Sequence, residues 1–320
     1  MQVIPYAESL YDSWNVTIDQ SKNGTFLFHR DFMDYHKERF VDCSLLFQDK
    51  KTVIAVLPAC WESNTKTVSS HAGLTYGGLI LHRQITAMQV WECLQLAVAY
   101  YKQRYGAVSF IYKSVPYIYH TYPAQEELYA LYKIGATLAA RSLSSTIVLP
   151  SLLPMRSLRV RGVKKALKAG WIVRRVCPGT DSIQSLWNIL EKELRLRHHT
   201  HPVHTADEME TLWRRFPENI AIYVVEDEQR KLYGGTVLFK SANVVHVQYI
   251  TSTEVGRNNG ALDLLFCTLI QEMDWKVPYF DFGISTEQGG QILNEGLLFQ
   301  KEGFGARGVC YDIYKVCLNE

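Results

Sequence analysis

Val255-Gly256-Arg257-Asn258-Asn259-Gly260-Ala261 lies between the longest β-rich stretch of the chain and an apolar helical pattern over residues 261–273. A loop that leaves a strand and enters a helix aims several free backbone N–H groups at one point. The helix start adds partial positive charge, so an anion binds there readily. Gly256 and Gly260 allow close approach of a ligand to the backbone, and Arg257 supplies a guanidinium for phosphate oxygens. Upstream of this segment, alternating residues predict strands over 220–226, 233–240 and 244–251, with turns at Asp227-Glu228 and over 241–243. Downstream come a strand over 279–282, a helix over 291–301 and a strand over 309–316. Three meandering strands, a glycine loop, a helix, a strand, a helix and a strand make an α/β (α+β) unit with a mixed, mostly antiparallel sheet.

This unit fills half of the chain. At 320 residues the sequence exceeds the size at which one core stops growing, which points to two domains. The composition shifts at Leu149-Pro150-Ser151-Leu152-Leu153-Pro154, so the division is placed at 1–150 and 151–320. The first half reads as a helix over 31–40, strands over 44–47 and 52–59, a turn at Gly77-Gly78, a helix over 86–105 and a strand over 108–112. A further helix enters at Pro123-Ala124-Gln125-Glu126-Glu127. The second half opens with a basic helix over 158–169 and an amphipathic one over 182–196. A capping-box helix follows at Thr205-Ala206-Asp207-Glu208.

Apolar residues make up 47% of the chain, and 34 Lys and Arg face 32 Asp and Glu, which excludes a disordered chain or a nucleic-acid coat. Residues 1–10 carry no leader pattern, and no stretch reaches the length of a membrane helix, so a cytoplasmic protein is expected. Seven scattered cysteines with no CxxC pair argue against a disulfide framework and a zinc site, and no metal is expected.

The order of elements resembles the core of the GNAT-type acyltransferases. Their pyrophosphate loop has Arg or Gln, two variable residues, Gly, one variable residue, then Gly or Ala. Arg257, Asn258, Asn259, Gly260 and Ala261 follow it, with Leu262 where the last small residue belongs. The chain as a whole is similar to the FemABX-like branch, in which two such domains stand in tandem, each a mixed sheet flanked by helices. The likeness rests on Phe32-Met33-Asp34-Tyr35-His36 leading into Ala55-Val56-Leu57-Pro58-Ala59, on the basic helix from Arg159 to Ala166, and on Tyr279-Phe280-Asp281-Phe282-Gly283 with Phe299-Gln300-Lys301-Glu302-Gly303-Phe304-Gly305. It implies acyl transfer from acetyl-CoA or another acyl-CoA to an amine of a sugar, sugar-nucleotide or peptide-like acceptor, in polysaccharide or cell-envelope synthesis. Aminoacyl transfer from tRNA and a non-catalytic binding module are the alternatives. Enzymes of this kind need only a water-linked base and backbone polarisation, with no covalent intermediate.

Within this frame Gly256, Arg257, Asn258, Asn259, Gly260 and Ala261 are the expected donor-binding residues. Asp281, at a strand end beside that loop, His246 and His204 are the candidate catalytic groups. His246 and Gln248 share one strand face by period two, with Tyr249 on the other. Tyr76, Gly77, Tyr119 and His120, in loops dense in rings and hydroxyls, are candidate acceptor contacts with Gln248 and with Lys164 of the basic helix. The cluster His198, His199, His201 and His204 is interrupted by Pro202 and lacks a carboxylate at helical spacing, so it reads as a connector from which His204 alone faces a site. Asp281-Phe282-Gly283 has no kinase catalytic loop to accompany it.

Overall fold

A computed structural model describes residues 1–179 and 181–318. The chain forms two compact units. One comprises Met1–Leu143, Thr286–Ile292 and the residues from Cys310 onward; the other comprises Ser144–Ser285 and Leu293–Val309. The chain first passes between units after Leu143, upstream of the bracketing prolines, because Ser144–Val148 pair with the strand Tyr279–Ile284. The segment from Cys310 returns to the first unit, since Ile313–Cys317 pair with Ser109–Lys113.

In the first unit, strands Gln2–Pro5, Leu45–Asp49, Thr52–Leu57 and Ile80–Leu81 form an antiparallel sheet. A second set runs from Ile313–Cys317 through Ser109–Lys113, Thr67–Ser69 and Cys60–Glu62 to Val41–Asp42, parallel only between Thr67–Ser69 and Ser109–Lys113. Helix Ala87–Tyr105 starts at a Thr86/Gln89 capping box and ends at Gly106 in the left-handed region. Its face carrying Val90, Cys93, Leu94, Ala97 and Tyr101 is buried with Leu45, Phe47, Phe110 and Val316. The helix predicted over 31–40 is shorter: Arg30–Met33 is α-helical, and the turns after it tighten to 3-10 geometry with a kink at His36.

The second unit has the sheet order Ile172–Val176, Ile220–Glu226, Leu232–Lys240, Val244–Ser252, Tyr279–Ile284, then Ser144–Val148. Its pairs are antiparallel except Val244–Ser252 with Tyr279–Ile284. Helix Ser157–Lys168 packs on helix Ala261–Gln271, and both close over Leu238, Val245, Val247 and Phe280. Helix Gln184–His198 lies against strands Leu232–Lys240 and Val244–Ser252, and helix Ala206–Arg215, with its Thr205/Glu208 capping box, packs on Ile220–Glu226. The predicted helix over 291–301 starts later, at Glu295, where Asn294 caps the N–H of Leu297.

Candidate active site

The one parallel pair of the second unit is short. Val244, Val245 and His246 pair with Tyr279, Phe280 and Asp281, and among the described residues the register stops there. Beyond it the strand carrying His246 bulges: Leu238 faces Val247 and Val237 faces Tyr249, so Gln248 is the extra residue. The other strand turns at Gly283, in the left-handed region at φ +77°. Two strands thus part at a fork, and His246 and Asp281 stand at its base.

Asp281 is fully buried, with at least three donors on its carboxylate. Ser144 Oγ and Thr146 Oγ1 donate to Oδ1 at 2.6 and 2.7 Å, and His246 Nδ1 lies 2.7 Å from Oδ2. Burial favours the neutral acid, but the donors led by His246 outweigh it and hold the carboxyl below its ordinary value. An ionised Asp281 fixes the proton of His246 on Nδ1, which leaves the Nε2 lone pair as a base. The His246 side chain is 13% exposed, enough for contact with a ligand.

Lys301, which sequence reading passed over, joins this corner. Its buried ammonium donates to the carbonyls of Gly283 at 2.8 Å and Ile284 at 2.7 Å, capping the turn that opens the fork. Burial lowers its pKa from 10.5 to about 8, and Asp281 opposes the shift. An unfolded chain therefore holds this proton through a window in which the folded chain has released it. Stability is reduced by this group below pH 8 and recovers as pH rises from about 8 toward 10.5. Other buried groups titrate in the same window, so the test is the difference: the denaturant-unfolding stability of Lys301→Met is expected to rise less, or fall more, from pH 8 to 10.5 than that of the wild type, and equal slopes would mean that Lys301 is not desolvated.

The expectation for Tyr249 in strand Val244–Ser252 is corrected by the bulge. The extra residue shifts the phase of the strand and puts Tyr249 on the His246 side, where a period of two had placed it on the other. Tyr249 is not inert packing either: its hydroxyl lies 2.5 Å from His204 Nδ1, and burial raises its pKa to about 12. His204 is buried in that pair, whereas Asp281 has His246 as its imidazole partner. His199 and His201 are exposed, and the side chain of His198 lies outside the described residues.

The glycine segment also differs from an open cradle. Thr253 caps a short helix, Glu254–Asn258, and Gly256 lies inside it. A Cβ on Gly256 would meet the Tyr233 carbonyl oxygen at 2.0 Å, so this glycine serves backbone packing. Gly260 holds φ +81° at the entrance of helix Ala261–Gln271, where a Cβ would lie 2.3 Å from the Gly162 carbonyl oxygen. Arg257 is engaged, with its guanidinium 2.5 Å from Glu193 Oε2 and from the Ser252 carbonyl. The Asn258 carbonyl accepts from Lys165, and Asn259 Nδ2 donates to the Val255 carbonyl. Among the described residues no side chain caps the start of helix Ala261–Gln271. An open pocket of about 590 Å³ adjoins the segment, lined by Asn188, Lys192, Glu193, Thr253, Glu254 and Arg257 among others.

Lys164 is exposed on its helix. Tyr76, Gly77, Tyr119 and His120 meet within the first unit. The rings of Tyr76 and Tyr119 are 4.4 Å apart, the Tyr119 hydroxyl lies 3.0 Å from that of Tyr311, the Gly77 N–H donates to the Lys113 carbonyl, and His120 Nε2 is 3.0 Å from the Val115 carbonyl. Tyr76 and Tyr119 are buried.

Residues 156–288, within the second unit, match the family model described as acetyltransferase (GNAT) domain. The mixed α/β fold, with mostly antiparallel sheets, is shared with solved structures that include FemX and a tandem GNAT protein. The crystal structure of FemX is similar over 100% of this chain and 98% of that one, with a TM-score of 0.68 at 10% identity. L-PGS from Bacillus licheniformis is similar with a TM-score of 0.63 at 10% identity, over 97% of this chain and 92% of that one. A tandem GNAT protein from the clavulanic acid biosynthesis pathway gives 0.53 at 12% identity, over 100% and 99%. At such identities the likeness is one of fold. No curated protein sequence matches.

Proposed function

We propose that the protein is an N-acyltransferase that takes an acyl-CoA donor into the fork between Val244–Ser252 and Tyr279–Ile284 and passes the acyl group to an amine of a sugar or peptide-like acceptor. The observation that carries this reading is the Asp281–His246 pair at the base of the fork. Strands that part leave backbone donors and acceptors facing each other, suited to an extended amide-bearing chain such as the pantetheine arm of coenzyme A. An amine with a pKa near about 10.4 must lose a proton before it attacks. His246 Nε2 accepts that proton, and Asp281, held ionised by Ser144 and Thr146, stabilises the imidazolium. The amine nitrogen bonds to the acyl carbon, the carbon–sulfur bond breaks, and the thiolate leaves with a proton.

The uncapped start of helix Ala261–Gln271 supplies amides for the donor's phosphates. Arg257 joins them by releasing Glu193, so the Arg257–Glu193 pair opposes donor binding. Calorimetric titration with acetyl-CoA is the test. Arg257→Ala is expected to weaken binding about tenfold, the value of one charged contact, and Glu193→Gln to strengthen it several-fold. Unchanged affinity in both variants would remove Arg257 from the donor site. No binding of acetyl-CoA by the wild type, with binding of an aminoacyl-tRNA instead, would move the donor to that second class.

A further inference from the structure

Residues 149–176 contain eight Lys or Arg and no Asp or Glu, in a chain whose net charge is only +2. Helix Ser157–Lys168 lies at the centre of this run and has two distinct sides. Its packed side carries Gly162, Val163 and Ala166 against helix Ala261–Gln271, and Arg159 there is bound to Asp263 at 2.6 Å. The other side carries Arg161, Lys164, Lys165 and Lys168, all exposed. Arg161, Lys164 and Lys168 are one turn apart and pair with no carboxylate among the described residues. Aliphatic side chains border this cationic stripe: Val160 is 42% exposed, Leu167 56%, and Leu158 43%. Ile172, in the strand that follows, is 55% exposed.

We propose that this face of helix Ser157–Lys168 docks the protein on an anionic bilayer surface, with Arg161, Lys164 and Lys168 at the lipid phosphates and Val160 and Leu167 inserted among the headgroups. Charge complementarity selects a polyanion, and the aliphatic border selects lipid among polyanions. A helix lying in a membrane interface needs cations and apolar side chains on one exposed face. A single-stranded nucleic acid would use aromatic rings for its bases, and the sole aromatic residue of 149–176, Trp171, is buried; a duplex would have no use for the aliphatic border. Among the described residues no helix is long and apolar enough to cross a membrane, so such contact is peripheral and reversible.

The full chain is sedimented with phosphatidylcholine vesicles, with and without phosphatidylglycerol. Binding is expected only with the anionic lipid and is expected to fall as salt rises. Arg161→Glu/Lys164→Glu/Lys168→Glu should lower the vesicle affinity about tenfold or more, on the basis of the contribution of each surface cation. Val160→Asn/Leu167→Asn keeps the charge and should also lower it. All five positions lie on the exposed side, so circular dichroism is expected to report folded variants. Equal binding to neutral and anionic vesicles, no binding to either, or full affinity in the charge-reversed variant would each overturn the proposal. So would full affinity in the asparagine variant combined with equal displacement by duplex RNA, which would assign the stripe to nucleic acid.

Discussion

His246→Gln is expected to lower turnover by roughly 10²- to 10³-fold while leaving the second unit folded, because general base catalysis is worth that order and Asp281 keeps its bonds from Ser144 and Thr146. Asp281→Asn should lower turnover comparably and also lower the melting temperature. The amide has two N–H donors and only one acceptor oxygen at a fully buried place where three donors now converge on a carboxylate. A buried group left with mismatched partners costs about 1–3 kcal/mol. Acting as one unit, the two residues should not add: the double variant is expected to turn over about as slowly as either single one. Steady-state rates with a thioester donor and a primary amine decide this, and a near-wild-type rate in His246→Gln would sink the relay.

Gly260→Val is expected to destabilise the second unit by about 3 kcal/mol or more, through two separable effects. A β-branched residue at φ +81° costs about 1–3 kcal/mol in backbone strain. Its Cβ would also stand 2.3 Å from the Gly162 carbonyl oxygen, and forcing two packed helices apart costs a further 1–3 kcal/mol or so. Gly170 separates the effects, since it too has a positive φ, +75°, but a Cβ there meets nothing within 4 Å. Gly170→Ala should therefore cost about 1 kcal/mol only. Equal melting temperatures for the two variants would mean that the helices at Gly260 yield without cost.

The contrast between Gly260 and its sequence reading shows where periodicity stops informing. Apolar runs bounded by turn residues located the strands Ile220–Glu226, Leu232–Lys240 and Val244–Ser252, the first two of which are buried along nearly their whole length, and apolar periodicity located the helix Ala261–Gln271. The glycines at 256 and 260 were legible as points of close approach, but whether a ligand or another backbone approaches is fixed by tertiary packing. In this protein the approaching groups are Tyr233 and Gly162. The bulge at Gln248 left no mark in the alternation, yet it decides that Tyr249 shares a side with His246. Asp281 was legible as a polar residue at a strand end; its hydroxyl donors come from residues 144 and 146, far away in sequence. Lys301 was not singled out, because burial of an ammonium leaves no local signature. Pairing partners are likewise invisible to a local pattern, which is why the final strand reads as part of the second half although Ile313–Cys317 complete a sheet of the first unit.

That last strand also sets an order of events during synthesis. A ribosome releases residues in sequence, and domains ordinarily close as soon as they emerge. The first unit cannot do so: Val316 and Leu318 belong to its core, and the strand carrying Ile313–Cys317 emerges only after the whole second unit has been made. Until then Ser109–Lys113 presents a bare edge, which is an invitation to non-native strand pairing. The unit translated first is the one that finishes last, and the burden on cellular chaperones falls on the N-terminal half of the chain.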